Sequence, residues 1–402
     1  MELHARLWLP LYPTYAPLNL SAASLASSLQ SSSRMETIRP LTVLSVAYPF
    51  APVGPDAVGG AEQVLAALDA ALVAAGHRSL VIACAGSVCR GTLLATPRWE
   101  RLDEAAWAPA HERHRRAIAA ALARWSVDVV HLHGLDFAAY LPPPGPPALA
   151  TLHLRPDLYP RAALFPARPR TWLCCVSRAQ QRACPPGMPL LEPVENGVDL
   201  ERFRPRGAKR RFALCLGRIC PEKGFHLAVE AAKRADLPLG IAGDVFPYPA
   251  HQSYFATELA PRLDHRRRFL GPVGGGRKRR LLAAASCLLV PSLVAETSSL
   301  VALEALASGT PVVAFPAGAL PEIVEPGRSG YLVEDVREMA EALAAIHSIS
   351  ALGAIDPADC RRAAEERFPL SRMTARYLDL YRQLAAEGAE ATATAAPGAV
   401  RA

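Results

Sequence analysis

Two carboxylates, Glu296 and Glu304, stand with seven residues between them in the stretch AETSSLVALEALASGTPVVAF, residues 295–315. From Leu300 to Ala307 the side chains are apolar on every side of a helix except at Glu304, and such a helix is normally buried. An ionised carboxylate in apolar surroundings is costly unless it is paired or hydrogen-bonded. No basic residue lies one helical turn away, where Leu300, Val301, Ala307 and Ser308 stand. Glu304 therefore either faces a cleft and accepts ligand hydroxyls, for which a ribose pair would serve, or pairs with a basic residue distant in sequence.

The start of this helix carries chemistry of its own. Thr297 and Ser298 are capping types, and the N–H groups of Ser299, Leu300 and Val301 have no partner within the helix. Free amides at a helix N-terminus suit a phosphate. Phosphate at those amides, ribose at Glu304 and a leaving group near Glu296 make one consistent ligand, a nucleotide bearing a transferable group. A second stretch, LGRICPEKG (216–224), places Arg218 after a strand and Lys223 before the next helix. Two cations there would neutralise a departing diphosphate, against the simpler reading of two solvated loop cations.

The elements around these residues alternate. In the first half the strands LTVLSVAYPF, SLVIACAG, VDVVHLHG, ALATLHL and TWLCCVSR are interleaved with the helices AEQVLAALDAALVAAGH and HERHRRAIAAALARW. In the second half FALCLGRI, LGIAG, RRFLGPV, CLLVPSL, PVVAF and YLV read as strands between helical runs. Near-continuous apolar strands between helices predict parallel sheets covered on both faces, an α/β chain of two Rossmann-like doubly wound domains. Ligands of such sheets bind at the carboxyl ends of the strands, which places the site in a cleft between the domains. The expected boundaries are an N-terminal extension over 1–34, disordered or preceding a start at Met35, and domains over 35–205 and 206–359. A C-terminal helical segment over 360–386 packs back toward the first domain, and a disordered tail covers 387–402.

Composition narrows the class. The 402 residues are 51% hydrophobic and 20% charged, with a formal net charge of +7. The longest apolar run, Leu281 to Ala295, is interrupted by Ser286 and Pro291, so no membrane span is expected. Nine cysteines without a Cys-x-x-Cys pair suit a reducing cytoplasm. Basic runs without interleaved aromatics give no basis for nucleic-acid binding. The helix 111–125, with Arg113, Arg115, Arg116 and Arg124 beside alanines and Ile118, would allow peripheral contact with an anionic membrane at its inner face, against the simpler reading of a solvated helix. His131 and His133 alternate on one strand without a suitably spaced carboxylate, and HERH (111–114) lacks the His-Glu-x-x-His spacing, so no metal site is expected. Gly-x-Ser-x-Gly and Walker motifs are absent from the sequence.

Taken together, LGRICPEKG, ETSSLVALEALASGTPVVAF, PEIVEPGRSGYLVE, ENGVDLERF and the loop GGAE resemble the retaining GT-B glycosyltransferases of the glycosyltransferase 4 family, over roughly residues 41–385. The resemblance implies a nucleotide-sugar donor, a UDP- or GDP-sugar, as co-substrate, no other cofactor, and a saccharide, lipid-linked or small-molecule acceptor. It implies that Arg218, Lys223 and the backbone of Ser299, Leu300 and Val301 hold the diphosphate, and that Glu304 takes the ribose hydroxyls. It further implies that Glu296 contacts the donor sugar, that His153 in ATLHLR is a cleft histidine beside it, and that Gly60 lets the first-domain loop approach the donor. The expected reaction is metal-independent hexosyl transfer with retention, in polysaccharide or related biosynthesis. Two other readings fit the same fold: a nucleotide-sugar epimerase and a non-catalytic nucleotide-sugar-binding scaffold. Ser298 and Ser299 depart from the family pattern, where an aromatic residue and a glycine are common.

Overall fold

A computed structural model describes residues 39–99, 104–347 and 355–395. The expectations for residues 1–34 lie outside the described residues. Six strands form the first sheet: β1 (Thr42–Val46), β2 (Arg78–Cys84), β3 (Thr92–Thr96), β4 (Val129–Leu132), β5 (Ala148–Leu152) and β6 (Thr171–Cys175). Six more form the second: β7 (Arg210–Leu216), β8 (Leu239–Ala242), β9 (Arg267–Gly271), β10 (Ala285–Val290), β11 (Val312–Ala314) and β12 (Gly330–Leu332). All pairings are parallel. The orders are β3-β2-β1-β4-β5-β6 and β9-β8-β7-β10-β11-β12. Both sheets thus have the doubly wound order, and each reverses direction at one point, between β1 and β4 and between β7 and β10.

Alternation along buried strands separates the core on one face of each sheet from that on the other. Val43 and Val129 face the helix Gly60–Ala74 and the C-terminal helix, while Leu44 and Val130 face the helix Glu104–Arg124 and the turns after β4 and β5. In the second domain Leu214 and Leu288 pack on the helices Gly275–Ala284, Leu300–Ala307 and Pro357–Arg367. Ala213 and Cys287 pack on Phe225–Arg234 and Val336–Ile346. Apolar residues on both faces are what a sheet with helices on both sides requires.

Three features differ from the sequence reading. The edge strand β3 has no counterpart in it, because TLLAT is short and half-exposed. Asp69 fixes the turn before β3, accepting from the Arg90 and Gly91 amides and from the Ser79 hydroxyl. The segment 360–386 is two helices, Pro357–Arg367 and Leu370–Ala395, broken where Pro369 has no amide to donate. There the chain crosses back to the first domain: Val198 donates to the Phe368 carbonyl at 2.8 Å and accepts from the Leu370 amide at 3.0 Å. The last helix then occupies 387–395, where a disordered tail is expected. Its alanine-rich end extends a helix already formed, which costs little. Residues 396–402 lie outside the described ones.

Among the described residues no helix is long and apolar enough to cross a membrane. On the helix Glu104–Arg124, Arg115 and Arg116 pair with Glu112, and Ile118 is buried in the core. That helix therefore offers its arginines to solvent but not the apolar residue with which lipid contact is expected.

Candidate active site

The two reversal points supply the residues. Arg218 follows β7, and Ser292, Glu296 and the helix Leu300–Ala307 follow β10. Across from them the loop after β1 leads to Gly60, and His153 follows β5.

Glu304 is 3% exposed. Its Oε1 accepts from Lys278 Nζ at 2.5 Å, while Oε2 is buried with no hydrogen-bond partner among the described residues. Burial raises the Glu304 pKa, and Lys278 opposes that rise. The distant basic partner is thus Lys278, from the run Arg277–Lys278–Arg279–Arg280. Its inward face is legible in hindsight, since Lys278 lies one turn before the buried Leu282. The pairing satisfies only half of the carboxylate, and an unpartnered buried oxygen destabilises the fold by ~1–3 kcal/mol or more.

Ser299 is the N-cap of the helix Leu300–Ala307 and makes no side-chain cap bond. Its carbonyl accepts from Ala302 and Leu303. The amides of Ser299, Leu300 and Val301 have no backbone acceptor among the described residues. Thr297, read as a cap from sequence, does something else: its hydroxyl donates to the His153 main-chain oxygen at 3.0 Å, joining the two domains. Gly60 lies close by, since a Cβ there would meet Leu300 Cδ1 at 3.2 Å.

Glu296 is held from three sides. Its Oε1 accepts from Lys223 Nζ at 2.6 Å and from the Ser292 hydroxyl. Its carbonyl accepts from the Ala319 amide at 2.8 Å. Gly318, at φ 65°, lies against its backbone, and a Cβ on Gly318 would stand 2.3 Å from the Glu296 carbonyl oxygen. Only glycine tolerates both that conformation and that approach. Arg218 is exposed and has no ion-pair partner among the described residues. Lys223, with three donors and one spent on Glu296, keeps two for a ligand.

The histidines of the first domain form a connected set. His153 Nε2 meets His133 Nδ1 at 3.1 Å, and the two rings stack. The His133 ring lies on that of His131, with centroids 3.9 Å apart. His131 Nδ1 meets the Tyr381 hydroxyl at 2.7 Å, and its Nε2 meets the Thr151 hydroxyl at 2.8 Å. Burial pushes the His153 pKa down to about 4 and holds those of His131 and His133 well below normal. The set is therefore neutral near pH 7, and the main-chain oxygen of His153 meets the second domain at Thr297.

This arrangement has known counterparts. The family model described as Glycosyltransferase Family 4 matches residues 58–202, and that described as Glycosyl transferases group 1 matches residues 210–348, one for each domain. The chain belongs to this glycosyltransferase family. The D-inositol 3-phosphate glycosyltransferase of Saccharomonospora viridis is 37% identical over 216 residues, 47% of this chain and 49% of that protein. That of Nocardioides sp. is 34% identical over 239 residues, 50% of each. The chain spans about half the length of these curated relatives. Among solved structures, AviGT4, a glycosyltransferase involved in avilamycin A biosynthesis, is 28% identical with a TM-score of 0.64, covering 87% of this chain and 99% of that one. Sucrose-phosphate synthase from Thermosynechococcus elongatus has a TM-score of 0.71 at 21% identity, covering 86% and 100%. Anabaena HepE in complex with UDP-glucose has a TM-score of 0.66 at 19% identity, covering 85% and 100%. The last two likenesses show the GT-B fold.

In this family member the cleft also gathers residues that sequence reasoning missed. Asp56, in the loop after β1, pairs with Arg202 at 2.7 Å and lies 3.5 Å from Arg279. Together with Lys278 and Ser292 these residues carry no local motif. Asp56, Arg202, Arg279 and Lys278 act through partners far away in sequence, whereas Ser292 reaches Glu296 only four residues on.

Proposed function

We propose that this protein is an active retaining glycosyltransferase that moves a sugar from a UDP- or GDP-sugar to a saccharide, lipid-linked or small-molecule acceptor. The observation that carries the reading is the half-satisfied carboxylate of Glu304 on the helix whose first amides are free. A ribose hydroxyl donating to Oε2 would supply the missing partner, and the diphosphate would then reach the amides of Ser299, Leu300 and Val301. Arg218 and the spare donors of Lys223 neutralise the diphosphate as it leaves. Glu296, fixed by Lys223 and Ser292, takes donor-sugar hydroxyls; it acts as a positioning carboxylate and not as a nucleophile. His153, neutral, contributes a hydrogen bond beside the sugar.

In the transfer step the bond between the anomeric carbon and the phosphate oxygen breaks, and the acceptor oxygen bonds to the same face. The acceptor proton passes to the departing phosphate oxygen, so charge balances without an enzyme nucleophile. The curated relatives are named for inositol phosphate glycosylation, and HepE was solved with UDP-glucose. These names support a phosphorylated or polyol acceptor and a UDP-sugar as the first compounds to try. The test is incubation with UDP- and GDP-sugars with and without such acceptors. Nucleotide release dependent on acceptor, with product of unchanged anomeric configuration, supports the reading. Conversion of the donor alone to another sugar nucleotide would show an epimerase, and binding without turnover a scaffold.

A further inference from the structure

Two loops leave the carboxyl ends of neighbouring strands in the second domain. After β7 comes Arg218–Gly224, with a 3-10 turn at Pro221–Lys223. After β8 comes the segment that enters the short helix Pro249–Tyr254. The strands pair directly, Leu216 opposite Ala242, so the two loops emerge side by side. Cys220 and Glu222 project from the first and His251 from the second. Their ligand atoms, a thiol sulfur, a carboxylate oxygen and a ring nitrogen, all lie within 4.8 Å of one another.

Each residue has a reason to be there. Cys220 is 1% exposed and His251 8% exposed, while Glu222 stands at the rim. His251 Nδ1 is buried with no hydrogen-bond partner among the described residues. A buried unpartnered nitrogen is destabilising, and a cation with that nitrogen as ligand removes the penalty. Pro221 between Cys220 and Glu222 restricts the turn that sets their spacing. Sulfur, nitrogen and oxygen donors together suit a borderline-soft divalent ion rather than magnesium or calcium, which prefer oxygen alone.

We propose that Cys220, Glu222 and His251 form a binding site for Zn2+ that clips the Arg218–Gly224 loop to the Phe246–Tyr254 segment. On binding, the Cys220 thiol gives up its proton to solvent and the thiolate bonds the ion. Thiolate and carboxylate together balance the charge of the metal. Three protein ligands leave one tetrahedral position for water. The ion takes no part in bond breaking; it fixes the loop from which Arg218 and Lys223 project, and in that role the inference rests on the donor site proposed above. Sequence spacing does not announce the site, because Cys-Pro-Glu is only half of it and His251 comes 29 residues after Glu222.

The full chain, stripped with chelator, is titrated with Zn2+ against a chromophoric competitor, and separately with Co2+. Wild type binds one Zn2+ per chain, and Co2+ gives a thiolate charge-transfer band. Cys220→Ser abolishes the band, and Cys220→Ser, His251→Ala and Glu222→Gln each weaken Zn2+ binding by about tenfold or more. Glu222→Gln is the variant least able to disturb folding, because its side chain is at the surface, and circular dichroism reports the fold of all three. Zn2+ raises the melting temperature of wild type more than that of any variant. Equal Zn2+ affinity in wild type and Glu222→Gln, or a Co2+ band that persists in Cys220→Ser, would overturn the proposal. So would wild type that binds no Zn2+. These readouts need no nucleotide, so they stand or fall apart from the transferase reading.

Discussion

Thr297, in the second domain, donates its hydroxyl to the main-chain oxygen of His153, in the first, over 3.0 Å. This bond spans the cleft at the point where the helix carrying Glu304 begins. Thr297→Val removes the donor while keeping the shape. The expected loss is about 1 kcal/mol of stability, with weaker donor binding, and Thr297→Ser should retain both. Equal melting temperatures for Thr297→Val and wild type would show that the bond does not hold the domains.

Glu304 combines a binding role with a cost to the empty fold. Glu304→Gln removes the buried charge but keeps a carbonyl oxygen for Lys278. Stability without ligand should fall, by about 3 kcal/mol or less, because the mostly buried Lys278 keeps its charge and loses its counter-ion. Donor nucleotide affinity should fall about tenfold or more, the worth of a hydrogen bond to a charged group. Urea unfolding and nucleotide titration on the same preparation measure both. Unchanged affinity would remove Glu304 from the ribose site.

Gly318→Ala should displace Glu296 without touching it chemically. The positive φ and the close approach to the Glu296 backbone leave no room for a methyl group. Backbone strain of this kind is worth ~1–3 kcal/mol. Transfer activity should fall with the melting temperature, whereas Gly327→Ala, at φ 77° with open space around it, should lose stability but keep activity. Similar activity in the two variants would argue against a positioning role for Glu296.

The histidine set predicts acid lability. In the unfolded chain these rings bind protons near pH 6.5, whereas burial keeps His131, His133 and His153 neutral in the fold, His153 down to about 4. The unfolded state therefore binds more protons below pH 6.5. The stability tied to neutral rings is complete above that value and is lost as pH falls toward 4, at ~1.4 kcal/mol per pH unit for each histidine. Melting temperature should drop between pH 6.5 and 5, and His133→Gln should flatten the slope. A profile level from pH 7.5 to 5 would contradict it.

What the sequence made legible follows from period and motif. Apolar runs between helices specified two doubly wound sheets, and the E-x7-E stretch with LGRICPEKG marked both sides of the second reversal point. The structure puts Arg218, Glu296, Glu304 and the amides of Ser299–Val301 at that point. Contacts between distant segments were not legible. Lys278 looked like one cation in a basic run, yet its side chain turns inward to Glu304. Thr297 looked like a cap, yet the nearness of the other domain gives its hydroxyl a better acceptor. The strand β3 was hidden because an edge strand needs little apolar pattern once Asp69 anchors its entry. The helical break at Pro369 was visible as a residue but not as a crossing between domains.

The central claim is that a nucleotide diphosphate binds between Arg218, the helix amides and Glu304. Calorimetric titration of wild type, Arg218→Ala and Glu304→Gln with UDP and with GDP tests it most directly. The account predicts saturable one-site binding of one of these nucleotides to wild type, weakened about tenfold or more in each variant. Affinity equal in all three folded proteins, or no saturable binding of either nucleotide to wild type, would contradict it.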